Sequence, residues 1–137
     1  MIRLAYLVSQ YPAVNHSFIL REIRELRRQG FEIDVASIRE SDRPPEKLTP
    51  EQREERERTF YVKPLGIGQV LGAHLATLAT RPLGYLRGLG CALALAGWDP
   101  RRVMRHLFYF AQAVIVGRWF AGRGQSHFHV HFSSTVG

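Results

Sequence analysis

An α/β fold, a parallel sheet with flanking helices and a helical insertion, is predicted by three observations. A short apolar run, Ile2 to Val8 broken only by Arg3, ends at the polar loop Ser9–Val14 and is followed by a helical pattern. That helix leads directly into an alternating segment, Phe31 to Ile38. After a long stretch of helical character the chain returns to a β-prone segment, Ser126 to Phe132. Strand, helix, strand in so short a span is a βαβ unit, whose crossover is right-handed.

The first strand has the apolar continuity of a strand covered on both faces, which places it centrally in the sheet. Pro12 ends it, having no N–H for a ladder, and Asn15 or Ser17 is suited to cap the helix that follows. In open α/β sheets ligands bind at the carboxyl ends of strands, where side chains and helix N-termini converge. Tyr11, Asn15, His16 and Ser17 are therefore candidate site residues. The same stretch is equally readable as a well-capped βα turn, because a cap and a site use the same residue types.

In the first helix Ile19, Ile23 and Leu26 share one face, and arginines and glutamates fill the others. This is the pattern of a helix packed on a sheet. Gly30 follows where a left-handed cap is needed, and Arg27 and Arg28 suit the negative end of the helix dipole. Phe31, Ile33 and Val35 alternate with Glu32 and Asp34 in the second strand. A polar, proline-rich loop from Glu40 precedes a capping box, Thr49 with Gln52, with Pro50 at the first helical position. A charged helix, Glu51 to Arg58, and a short third strand, Thr59 to Val62, complete the first half.

Between Leu65 and Gly122 three helices are expected: Ile67 to Thr80, Pro82 to Ala96, and one capped by Asp99 and Pro100 that runs to about Ala121. The apolar stretches within them, Leu89 to Trp98 and Leu107 to Gly117, fall well short of the roughly 18–20 residues that a spanning helix requires. Arg81, Arg87, Arg101, Arg102, Arg105, Arg118 and Arg123 decorate this region, together with Tyr85, Trp98, Tyr109 and Trp119. Basic residues with interfacial aromatics suit a helix lying on an anionic membrane, and Arg81, Arg87, Arg101, Arg102, Arg105 and Trp119 are the candidate contacts. A buried helical layer with a solvated arginine face has the same pattern.

In the closing segment His127, His129 and His131 alternate, so a strand points all three to one side. Three imidazoles are a known zinc arrangement. No acidic residue lies nearby in sequence to orient the rings, so no metal ligand is assigned, and a structural role is preferred for His127 and His129. His131 falls at the strand's end, the position that faces a crevice.

With 137 residues the chain has the size of one domain, since domains cluster at about 100–150 residues. The single cysteine, Cys91, excludes an internal disulfide framework and any cysteine-built zinc site, which fits a reducing compartment. The N-terminal apolar run is too short and too interrupted for a secretory signal, so a cytoplasmic location is expected. Met1 to Val62 carries eleven Lys/Arg against eleven Asp/Glu, whereas Lys63 to Gly137 carries eight against Asp99 alone, so the net charge of +7 lies in the second half. That asymmetry points to an anionic partner. Nucleic acid is not the expected one, because the arginines are spread along apolar helices and no nucleic-acid motif is present. A serine hydrolase is unsupported, since no G-x-S-x-G elbow occurs.

Two stretches taken together, the opening IRLAYLVSQYPAVNHSFILREIRELRRQGFEIDVASIR and the closing HFHVHFSSTVG, resemble the N-terminal acceptor domain of GT-B glycosyltransferases of family 4. Those that build bacterial exopolysaccharides such as colanic acid are the nearest in character. The resemblance runs over all 137 residues in order and is loosest in the helical middle. It implies a Rossmann-like sheet forming the N-terminal half of a GT-B fold. It also implies hexosyl transfer with retention, onto a saccharide or lipid-linked acceptor at the cytoplasmic membrane face.

By that resemblance Tyr11, Asn15, His16 and Ser17 line the acceptor side, and His131 is the catalytic residue beside the reacting sugar. No cofactor is expected beyond a nucleotide-sugar co-substrate, bound mainly by a second domain. The first loop holds no glycine, unlike the loop that many family members place against the donor phosphates, so no donor contact is assigned to it. The chain ends at Gly137, before any donor domain, so a truncated or split enzyme with a separate donor domain as partner is expected. The competing class is a non-catalytic membrane- or partner-binding α/β module.

Overall fold

The computed structural model describes residues 2–13, 17–63 and 66–131. The chain forms two compact units: Met1–Pro64 with Arg123–Gly137, and Leu65–Gly122.

The first unit is built on four parallel strands, β1 (Arg3–Gln10), β2 (Glu32–Arg39), β3 (Thr59–Tyr61) and β4 (His127–His131), in the order β3-β2-β1-β4. This is a Rossmann-like α/β sheet, as the strand, helix, strand pattern predicts. β1 is internal, paired with β2 on one side and β4 on the other. The register places Tyr6 opposite both Val35 and His129, and Val8 opposite His131. Because side chains alternate along a strand, Leu4, Tyr6 and Val8 share a face with Ile33, Val35 and the three histidines of β4.

That face is covered by α1 (Ser17–Arg28), whose Ile19 and Ile23 pack with Tyr6, Val8, Tyr11, Ile33 and Val35 in the core. Each of these isoleucines is almost wholly buried, a contribution of about 1.5–3 kcal/mol apiece. The helix ends as its sequence requires. Gly30 adopts φ 95°, its N–H bonds to the Arg27 carbonyl at 3.1 Å, and the Phe31 N–H bonds to the Leu26 carbonyl at 3.1 Å. Those two bonds make a Schellman motif, and only glycine takes that φ without strain. Leu26 and Phe31, its flanking apolar pair, both pack against the core.

After β2, a 3-10 turn at Pro45–Lys47 leads to α2 (Pro50–Arg58). The Thr49 hydroxyl accepts from the Gln52 N–H at 3.2 Å, and the Gln52 side chain accepts from the Thr49 N–H at 3.0 Å, which completes the capping box. The Glu51 carboxyl in the first turn is held below its usual pKa, chiefly by a bond from its own backbone N–H and then by the Thr49 side chain.

The second unit consists of α3 (Ile67–Thr80), α4 (Pro82–Ala96) and α5 (Pro100–Ala121), with the bounds that proline and aspartate placement predicts. Asp99 caps α5 by accepting from the Arg101 N–H at 3.0 Å. A polar and aromatic knot ties the three helices together. His74 of α3 lies 3.0 Å from the Tyr85 hydroxyl of α4 through Nδ1 and 3.3 Å from the Ala111 carbonyl of α5 through Nε2. A carbonyl only accepts, so Nε2 carries the proton and Nδ1 accepts from the tyrosine. Phe110 stacks edge-on against Tyr85 and touches Gly88, where a Cβ would stand 3.1 Å from the ring and force it to move. Gly88 thus permits the close approach of α4 and α5.

Candidate functional site at the carboxyl end of the sheet

Tyr6, Glu22, His129 and His131 come together from three elements. β1 and β4 run parallel with Tyr6 beside His129 and Val8 beside His131, so His131 stands at the carboxyl end of the sheet. α1 crosses this face and brings Glu22 over the two imidazoles. The Tyr6 hydroxyl donates to Glu22 Oε1. His129 Nε2 and His131 Nε2 are 3.0 Å apart, and each is 3.9 Å from the same Oε1.

The cluster is anchored on a buried base and opens outward. Tyr6 is buried, whereas the side chains of Glu22, His129 and His131 are 39%, 52% and 23% exposed. Burial, and after it the hydrogen bond and negative charge of Glu22, raise the Tyr6 phenol far above its ordinary pKa, so it remains a proton donor to the carboxylate. The Tyr6 ring also packs against both imidazoles, with centroids 4.9 and 5.9 Å away, and Phe18 meets His131 edge-on at 6.0 Å. The three atoms Glu22 Oε1, His129 Nε2 and His131 Nε2 form a donor set of metal-ligating type.

His131 is the last described residue of β4 and pairs with Val8 of β1. His129, read from the sequence as structural, belongs to the same cluster. His127 lies on the same side of β4 but contacts Ser126 instead, through Nδ1 at 3.1 Å. The acidic partner that sequence proximity did not supply is Glu22, brought in by the packing of α1. A signal for it exists: Glu22 lies three residues after Ile19 and four before Leu26, at the border of the stripe that faces the sheet.

The Tyr11 side chain is placed differently from the expectation that it lines an acceptor crevice. It is fully buried in the core, and its hydroxyl donates to Glu55 Oε2 at 2.8 Å. Glu55, the one buried residue of α2, also pairs with Arg27 of α1, and Arg27 Nη2 donates to the Ile33 carbonyl at 3.0 Å. The Tyr61 hydroxyl donates to the Tyr11 carbonyl at 2.7 Å. Tyr11 thus locks the end of β1 to α1 and α2. Its hydroxyl is kept protonated first by burial and then by the Glu55 charge. Ser17 is exposed and is the first helical residue of α1. Asn15 and His16 lie outside the described residues, as does Phe132 of the closing segment.

In the helical unit Arg81, Arg87, Arg101, Arg102 and Arg105 are exposed, whereas Trp119 is partly buried and packs edge-on against Phe120 at 4.8 Å. Exposed apolar side chains are numerous there, among them Leu83, Leu86, Leu95, Met104 and a fully exposed Trp98. No helix among the described residues is long and apolar enough to cross a membrane. In comparisons with known proteins, no family model, no curated protein and no solved structure matches the chain.

Proposed function

We propose that the chain is the acceptor-binding domain of a nucleotide-sugar-dependent retaining glycosyltransferase that makes polysaccharide or lipid-linked saccharide. The observation that carries this reading is the polar cluster of Glu22, His129 and His131 at the carboxyl end of a Rossmann-like sheet, where such folds bind ligands. The ordered resemblance of the opening and closing segments supplies the reaction class.

A saccharide hydroxyl suits this cluster chemically. The Glu22 carboxylate accepts hydrogen bonds, and an imidazole Nε2 accepts or donates according to its tautomer. His131, the least exposed of the two histidines that flank Glu22, orients the acceptor hydroxyl and takes its proton as it attacks the donor sugar. The donor nucleotide is assigned to a second domain, which stabilises the departing diphosphate.

The helical unit supports a peripheral location at an anionic membrane. Its exposed leucines, Trp98 and Met104 supply apolar area, and Arg81, Arg87, Arg101, Arg102 and Arg105 supply charge. The same features favour the second reading, a membrane-binding α/β module without catalysis.

Titration of the protein with a panel of saccharides and lipid-linked saccharides, followed by NMR of the imidazole protons, separates the two readings. The acceptor reading expects saccharide-dependent shifts at His129 and His131 and at least a tenfold loss of affinity in His131→Ala. Vesicle binding with no response to any saccharide would leave the module reading.

A further inference from the structure

We propose that Glu22, His129 and His131 form a binding site for a divalent transition-metal ion, with Tyr6 as the residue that orients the carboxylate. Glu22 Oε1 and the two Nε2 atoms are separated by 3.0, 3.9 and 3.9 Å. A point equidistant from three atoms so spaced lies about 2.1 Å from each, which is the bond length of zinc to imidazole nitrogen and carboxylate oxygen. The site can therefore close on an ion with side-chain adjustments of a few tenths of an ångström.

The donor types agree with the distances. Two imidazoles and one carboxylate, with coordination positions left over, are a set that suits divalent zinc, iron or cobalt and does not suit calcium or magnesium, which take oxygen ligands. The surroundings agree as well. Ligating carboxylates are held by hydrogen bonds from outside the coordination shell, and the Tyr6 hydroxyl donates to Glu22 from a buried position. The partial exposure of all three ligands leaves a path for the ion and room for further oxygen ligands.

The alternative for the close Nε2 pair is a hydrogen bond from one imidazole to the other. A bound ion replaces that proton. The ion is read directly whatever the substrate, so the test does not depend on the sugar-transfer reading; with the ion bound, His131 Nε2 is a ligand and does not also take an acceptor's proton.

The test uses untagged full-length protein stripped with chelator and titrated calorimetrically with Zn2+, and in parallel with Co2+ followed by its visible absorption. The expected result is one equivalent bound, with ligand-field bands in the cobalt form. His129→Ala and the nearly isosteric Glu22→Gln should each weaken binding at least tenfold while far-UV circular dichroism is unchanged. His127→Ala, on the same side of β4 but outside the triangle, should leave the affinity as it is. Absence of saturable one-to-one binding and of cobalt bands in the wild type would overturn the proposal. So would an affinity unaltered in Glu22→Gln and His129→Ala, or one lost equally in His127→Ala.

Discussion

Removing the Glu55 carboxylate should destabilise the sheet unit more than any other single change to its polar groups. Glu55 and Tyr11 are buried, and the Arg27 side chain is 19% exposed, so the three form a charge network largely withdrawn from water. Deleting one partner of a buried pair leaves the other charge without compensation and costs about 3–5 kcal/mol. Arg27 keeps the Ile33 carbonyl as an acceptor and one edge to solvent, so Glu55→Ala should fall at the lower end, about 3 kcal/mol. Tyr11→Phe removes one hydrogen bond to a charged acceptor and leaves the Arg27 pair intact, a loss of about 1.5–3 kcal/mol. The double variant should lose less than the sum, because the tyrosine has no carboxylate left to meet, with a coupling of about 0.5–3 kcal/mol. Urea unfolding reads this out: with a slope of roughly 1–3 kcal/mol per molar, Glu55→Ala should lower the midpoint by about 1 M or more at unchanged slope. A loss below about 1 kcal/mol, or strict additivity, would refute the network as a stabilising element.

Three further outcomes follow from local features. Tyr6 and Tyr11 are held protonated by burial, and burial pushes Tyr61 up to about 12, whereas unfolded tyrosines ionise near 10. These groups contribute stability that is complete below pH 10 and is lost above it; absorbance at the phenolate band should show three of the five tyrosines titrating late, and Tyr11→Phe should flatten the alkaline decline. Thr49→Ala should cost about 1 kcal/mol in urea melts by opening the capping box of α2. Co-sedimentation with anionic vesicles should weaken as salt is raised, and replacing Arg101, Arg102 and Arg105 together by alanine should reduce it by about 3 kcal/mol, more than a hundredfold; binding indifferent to salt and to these arginines would remove the membrane contact.

The elements of this protein were legible in its sequence because their signals are local. Gly30 ends α1, Thr49 with Gln52 starts α2, Pro82 separates α3 from α4, and Asp99 with Pro100 opens α5, each at the position the residue type demands. A cap or a break depends on backbone groups within four residues, which the sequence places side by side. The alternation of His127, His129 and His131 likewise determined that they share one side of a strand. The burial of Tyr11 was not legible, since a tyrosine after a strand reads the same whether it faces solvent or meets a carboxylate 44 residues further on.

The site was half legible for the same reason. The strand end marked by His131 follows from where apolar residues give way to polar ones. That β4 pairs with β1, with five α-helices and two strands between them in the chain, is a matter of long-range pairing. The register of that pair puts His129 beside Tyr6, and the packing of Ile19 and Ile23 onto the same face brings Glu22 above both imidazoles. The sequence alone determined which residues could form helices, strands and caps, because those depend on neighbours along the chain. Only the tertiary structure decided that a glutamate on the first helix and two histidines on the last strand share one triangle, because burial of a core fixes distances between residues that no spacing relates.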